Sequence, residues 1–230
     1  MSENLDRYCM CILPDKDAAG TKAALLNQYR WPNGAVITLR FLAGDQKLQD
    51  RIKAVAQEWI GPKMANLHLD FKPMTEKKTD IRIAFQPGKG SWSFLGTYCR
   101  QIAEPQPTMN FGWINADSPD NVLRSVVLHE FGHALGLIHE HQNPKGGIKW
   151  NEAAVIADLS KPPNSWNLDK IKHNMFAKYN PNEVSGTDVD PQSIMMYPIP
   201  KAWTLDDFSA GFNADLSDKD KTFIRFAYPA

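Results

Sequence analysis

Cysteine is scarce in this chain of 230 residues: there are three, Cys9, Cys11 and Cys99. An odd number at irregular spacing excludes a disulfide framework as the scaffold, and a reducing compartment is therefore permitted. Charge of one sign is lacking too. Lys and Arg number 26 and so do Asp and Glu, so no nucleic acid or anionic membrane is expected as a partner. No apolar run is long enough to span a bilayer. The start, Met1-Ser2-Glu3-Asn4-Leu5-Asp6-Arg7, is polar and acidic before it is apolar, which is not the pattern of a secretory signal. A cytoplasmic location and export by another route both stay open. Internal repeats, low-complexity tracts, a Gly-rich phosphate loop and a nucleophile elbow are all missing. The length suits one large domain or a two-lobed one, and a monomer is expected because one such domain can work alone.

What is present is the run His129-Glu130-Phe131-Gly132-His133-Ala134-Leu135-Gly136-Leu137-Ile138-His139-Glu140. On a helix His129 and His133 point the same way. His139 comes six residues after His133, a rotation of roughly 240° at about 100° per residue, and would face away if the helix continued. The chain must break and turn back, and Gly136 stands where a left-handed cap does this without a Cβ clash. Three imidazoles at one zinc ion leave a fourth corner for water, the layout of a catalytic site rather than a closed structural one. Glu130, beside the first ligand, is placed to act as general base. His141 is near in sequence and reads as solvated or as a neighbour of the site.

Periodicity predicts the elements around this run. A strand is expected over Ala35–Phe41, then a helix capped by Asp45 with Leu48, Ile52, Val55 and Trp59 on one face. Strands are expected over Leu67–Phe71, Ile81–Phe85, Trp92–Tyr98 and Thr108–Ile114. Ser118-Pro119-Asp120 should open the histidine helix, with Val122, Leu123, Val126, Val127 and Ala134 on its buried side. A short helix is expected around Ala18–Tyr29. Beyond Gly136 the composition turns to Asn, Pro, Asp and Lys, with modest helices near Asn151–Leu159 and Leu168–Tyr179 and a last one from Ser217-Asp218-Lys219-Asp220.

The run H-E-x-x-H-x-x-G-x-x-H-E and the downstream Ser193-Ile194-Met195-Met196-Tyr197-Pro198 together resemble the astacin branch of the metzincin metallopeptidases. Leu137 stands where that family has Phe, and Met196 where it has His. The resemblance implies an α+β fold: a twisted mixed sheet with two helices over a smaller, irregular C-terminal lobe, with zinc in the cleft between. It implies an N-terminal extension over residues 1–30 and a catalytic domain over 31–230, whose upper lobe runs to about 136. It implies His129, His133 and His139 as ligands of one catalytic Zn2+, and Met195 as an apolar floor beneath them. Tyr197 would stabilise the oxyanion. Glu140 would meet a freed N-terminus in that family; from the residues alone it reads as a carboxylate orienting a zinc histidine. The stretch around Trp92, Ser93 and Phe94 resembles the edge strand along which a peptide or protein substrate lies. A side-chain pocket is then expected between the histidine helix and residues 199–203.

Cys11-Ile12-Leu13-Pro14-Asp15 looks like the C-x-x-P-D core of a cysteine switch, in which a thiolate fills the fourth zinc corner; an ordinary buried cysteine is the alternative. Three functions follow from these residues: a zinc endopeptidase, a zinc-binding module that no longer cleaves, and a zinc hydrolase for another acyl group. Retention of Glu130 favours catalysis, since a pure binding site has no use for that base.

Overall fold

A computed structural model describes residues 8–12, 29–61, 63–143, 146–178 and 189–230, with Met10–Ile12 described in main chain only. The helix expected around Ala18–Tyr29 lies almost wholly outside these residues. Six strands among them form one sheet: β1 (Met10–Ile12), β2 (Val36–Phe41), β3 (His68–Phe71), β4 (Ile81–Ala84), β5 (Trp92–Phe94) and β6 (Met109–Asn110). Their order is β1-β5-β6-β4-β2-β3, and only the β5–β6 pair is antiparallel. In β2 the alternation puts Ile37, Leu39 and Phe41 into the core, against helix α1 (Gln46–Ala56). Asp45 caps α1 by accepting from the Leu48 N–H at 2.9 Å.

Helix α2 (Asp120–Ala134) carries the motif and packs on α1 under the same sheet face. Trp59, in the tight turn after α1, donates from Nε1 to the Leu128 carbonyl at 2.9 Å. Two expected strands are shorter than their sequence pattern. β5 stops at Phe94 because Gly96 takes φ +47° and begins a 3₁₀ turn over Gly96–Gln101. A Cβ on Gly96 would lie 1.9 Å from the Tyr29 carbonyl oxygen, so close backbone contact, not pairing, shapes this stretch. β6 has two residues, after which the Phe111 N–H still bonds to Ala84 but the chain turns at Gly112. Helix α2 begins on Pro119 with no side-chain cap; the Ser118 hydroxyl instead accepts from the Asn115 N–H. Leu123, Val127 and Ala134 are buried as expected, and Val122 and Val126 are partly buried against the same core and also line a pocket.

The chain beyond Gly136 builds a second core from α3 (Glu152–Leu159), α4 (Leu168–Ile171), which runs into a π turn over Lys172–Phe176, and the segment Met196–Trp203. Helix α5 (Asp218–Ala227) starts with a Ser217/Asp220 capping box and returns Ile224 and Tyr228 to the first core. Met195 belongs to the first core and Met196 to the second, so the two cores meet at this turn. No helix among the described residues is long and apolar enough to cross a membrane.

Candidate metal centre

Helix α2 holds His129 and His133 one turn apart on one face. It ends at Leu135, and Gly136 takes φ +96°. The Gly136 N–H donates to the His133 carbonyl (2.8 Å) and the Leu137 N–H to that of Gly132 (2.9 Å), the Schellman arrangement. A Cβ on Gly136 would meet nothing nearer than the Tyr228 hydroxyl at 3.7 Å, so conformation rather than crowding calls for glycine. Two buried donors cover carbonyls that the helix end leaves free: Trp31 Nε1 to Ala134 (2.8 Å) and the Tyr228 hydroxyl to Leu135 (2.7 Å). The reversed chain brings His139 Nε2 to 3.1 Å from His133 Nε2.

Each imidazole is oriented through its other nitrogen. Nδ1 of His129 donates to the Ile194 carbonyl and that of His133 to the Leu137 carbonyl, both at 2.8 Å. His139 Nδ1 meets Gln142 Oε1 at 3.3 Å. With the protons on Nδ1, three Nε2 lone pairs converge, as metal-bound histidines require. Burial holds the His129 pKa down to about 4 and those of His133 and His139 well below the usual range, which keeps the rings neutral.

A fourth side chain that could hold a metal faces the three rings, Cys9. Its Sγ lies 2.7, 3.4 and 4.0 Å from Nε2 of His129, His139 and His133, and the four ligand atoms are all within 4.8 Å of one another. In tetrahedral zinc, bonds of about 2.0–2.1 Å to N and 2.3 Å to S imply N···N edges near ~3.3 Å and S···N edges near ~3.5 Å. Donor type and tautomer fit zinc, and the S···N separations of 2.7, 3.4 and 4.0 Å scatter around that ideal edge. The C-x-x-P-D match pointed to Cys11, but Cys11 lies inside β1 opposite Ser93, and the sulfur at the histidines is that of Cys9. Pairing of Met10 with Trp92 starts the strand just past Cys9, which leaves Cys9 at the mouth of the sheet.

Glu130 is fully buried, and among the described residues its carboxylate has no hydrogen-bonding neighbour besides the Cys9 thiol. Burial pushes its pKa well up, with the Cys9 thiol pulling the other way. The Tyr197 hydroxyl donates to the Cys9 carbonyl at 2.6 Å, and its ring lies 4.3 Å from that of His139. Met195 reaches under α2: a Cβ on Gly132 would stand 2.3 Å from its Sδ, so the glycine inside the motif makes room for that floor. The Met195 turn is pinned by Asp220, which accepts from the Ser193 hydroxyl (2.6 Å) and the Ile194 N–H (2.8 Å).

Other expected contacts are rearranged. The Glu140 carboxylate accepts from the Asp190 N–H (3.1 Å) and the Asn143 amide (3.3 Å); the residue that orients His139 is Gln142. Its amide nitrogen is itself held by the His173 and Ala177 carbonyls at 2.9 and 3.0 Å. His141 is buried and donates from Nε2 to the Asn174 carbonyl at 2.7 Å, so it is not solvated. Trp92, Ser93 and Phe94 form β5, and its free edge is taken by β1. Ser93 is turned inward, its hydroxyl on the Phe94 carbonyl at 3.0 Å. A pocket beside Glu130 is lined by Val122, Val126, Met196, Pro198, Phe212 and Asn213. Ile199 and Trp203, expected there, are buried in the second core instead. Sequence reasoning missed Cys9, Gln142, Gly132 and Tyr8. Only Gly132 left a local signal, a glycine inside a helix.

This centre is that of a metal-dependent hydrolase, and comparison with known proteins narrows it. The model of the astacin peptidase family matches residues 25–222. A solved structure of myroilysin is 39% identical, covers 90% of this chain and 98% of its own, and superposes with a TM-score of 0.85. A crystal structure of myroilysin is 35% identical, covers 99% of this chain and 93% of its own, with a TM-score of 0.71. No curated protein matches. The chain belongs to the astacin family of metallopeptidases and is a zinc-dependent endopeptidase acting on peptide or protein substrates.

Proposed function

We propose that His129, His133 and His139 hold the catalytic zinc, that Glu130 is the general base and Tyr197 the oxyanion donor, and that the segment Tyr8–Ile12 is a latch. The observation that carries this is a fully buried carboxylate, faced by the Cys9 thiol, beside three converging Nε2 atoms. When bound, zinc supplies Lewis acidity and lowers the pKa of water toward about 7. Glu130 takes the proton from the attacking water and delivers it to the leaving amine. Tyr197 donates to the peptide oxygen as that oxygen gains charge; a hydroxyl already 2.6 Å from one peptide carbonyl supports that role. The β5 main chain, Trp92–Phe94, is the rail for an extended substrate. In the latched chain β1 occupies that rail and the Cys9 thiolate takes the corner that water needs.

The test uses zinc-loaded full-length protein and a peptide library. Cys9→Ala should cleave where wild type is nearly silent. Cys9→Ala/Glu130→Ala should keep its zinc and lose nearly all turnover. Equal activity of wild type and Cys9→Ala removes the latch. Turnover unchanged by loss of Glu130 removes the base.

A further inference from the structure

Tyr8, the residue before the metal-facing cysteine, is inserted into a cage. Its ring centroid lies 5.2 Å from that of Tyr197, 5.4 Å from Trp203 and 6.4 Å from Trp166. The Tyr197 and Trp166 rings meet it near edge-on and Trp203 at a tilt, geometries that aromatic pairs prefer. Its hydroxyl donates to the Pro198 carbonyl at 3.0 Å, and its N–H to Asn164 Oδ1 at 3.3 Å. The walls come from three separate stretches of the C-terminal lobe, and none of these residues belongs to the Tyr8 segment. Beside the cage a groove of about 440 Å³ opens between Gly88, Lys89 and Trp113 on one side and Asn164, Trp166 and Lys170 on the other. It gives an incoming main chain a path past the cage.

The segment that carries Tyr8 lies where a peptide must lie, with β1 along β5 and Cys9 at the histidines. A side chain next to the metal-facing residue of that segment occupies the place of a substrate side chain close to the cleaved bond. We propose that the Tyr8 cage is an aromatic-selective substrate subsite beside the scissile bond, and that Tyr8 fills it as an internal stand-in. The enzyme then prefers substrates with tyrosine, and next phenylalanine, at a residue flanking the cleavage point. Burial of the ring between three aromatic walls gives about tenfold or more over alanine. The Pro198 carbonyl adds a few-fold for tyrosine over phenylalanine. This deepens the latch reading and rests on it.

Zinc-loaded full-length Cys9→Ala/Tyr8→Ala empties both positions. It is assayed on peptides that differ only at the residues flanking one scissile bond, carrying Tyr, Phe, Leu or Ala, with cleavage points read by mass spectrometry. The expected order of kcat/KM is Tyr, Phe, Leu, Ala, with Tyr over Ala by about tenfold or more and chiefly through KM. A second readout needs no turnover. In protein that keeps Cys9, alkylation of that thiol by iodoacetamide should speed up about tenfold in Tyr8→Ala and less in Tyr8→Phe. A flat profile at every flanking position in the active double variant overturns the subsite, as does a Cys9 alkylation rate indifferent to Tyr8→Ala. The latch reading fails separately, if Cys9→Ala is no more active than wild type.

Discussion

Tyr197→Phe separates the two roles of one hydroxyl, because its effects on the latched and unlatched chains have opposite sign. In the latched chain the hydroxyl donates to the Cys9 carbonyl at 2.6 Å, with Tyr197 buried. A neutral intramolecular hydrogen bond contributes about 0.5–1.5 kcal/mol, so its loss shifts the latch toward opening by about two- to twelvefold. The rings that pack on Tyr197, His139 at 4.3 Å, His141 at 4.5 Å and Tyr8 at 5.2 Å, are served equally well by phenylalanine. The readout is the rate of Cys9 alkylation in zinc-loaded full-length protein, expected to rise by that factor. In the Cys9→Ala background the same substitution removes the proposed oxyanion donor and should cost about 10²–10³ in kcat. Alkylation faster and turnover slower is the expected pair. Turnover unchanged in Cys9→Ala/Tyr197→Phe would refute the oxyanion role, and unchanged alkylation would show that the hydroxyl does not hold the latch.

Gly136→Ala places an L side chain at φ +96° and should cost about 1–2 kcal/mol. That is a melting-point loss of about 2–8 °C for a chain of this size, accompanied by weaker zinc retention as His139 shifts. Gln142→Leu removes the partner of His139 Nδ1 and should weaken zinc affinity about 10–100-fold, read by competition with a chelator, while the circular dichroism spectrum is kept. Burial alone would raise the pKa of Asp80, but hydrogen bonds from Arg100 and Thr38 more than offset this and lower it from 3.8. Its stabilisation is therefore complete above 3.8 and fades as pH falls through the depressed value. Denaturant melts of Asp80→Asn should lose that part of the acid limb, and an unchanged limb would count against it.

Much of the fold could be read from local rules. Asp45, Gly136 and Ser217 sit where capping chemistry places them, and the β2 and α1 patterns point at the core they join. The histidines were legible because a helix turn and a glycine reversal are properties of a dozen consecutive residues. Other features depend on contacts far away in sequence. β5 is cut short by the Tyr29 backbone pressing on Gly96. Gln142 is positioned by the His173 carbonyl of the π turn and the Ala177 carbonyl just after it, some thirty residues on. The choice of Cys9 over Cys11 is set by the Tyr8 cage and by the Met10–Trp92 register, neither of which a short motif encodes. Val122 and Val126 pack against the core as the helical wheel expects and also line the pocket beside Glu130, because periodicity tells which residues share a face and not all that lies opposite.

X-ray absorption at the zinc edge of the loaded full-length protein tests the four-donor centre most directly. Wild type should show three nitrogen scatterers at about 2.0–2.1 Å with an imidazole signature and one sulfur at about 2.3 Å. In Cys9→Ala the sulfur should vanish and an oxygen take its place, with the three imidazoles unchanged. A wild-type spectrum without sulfur, or one with fewer than three imidazoles, would contradict the account.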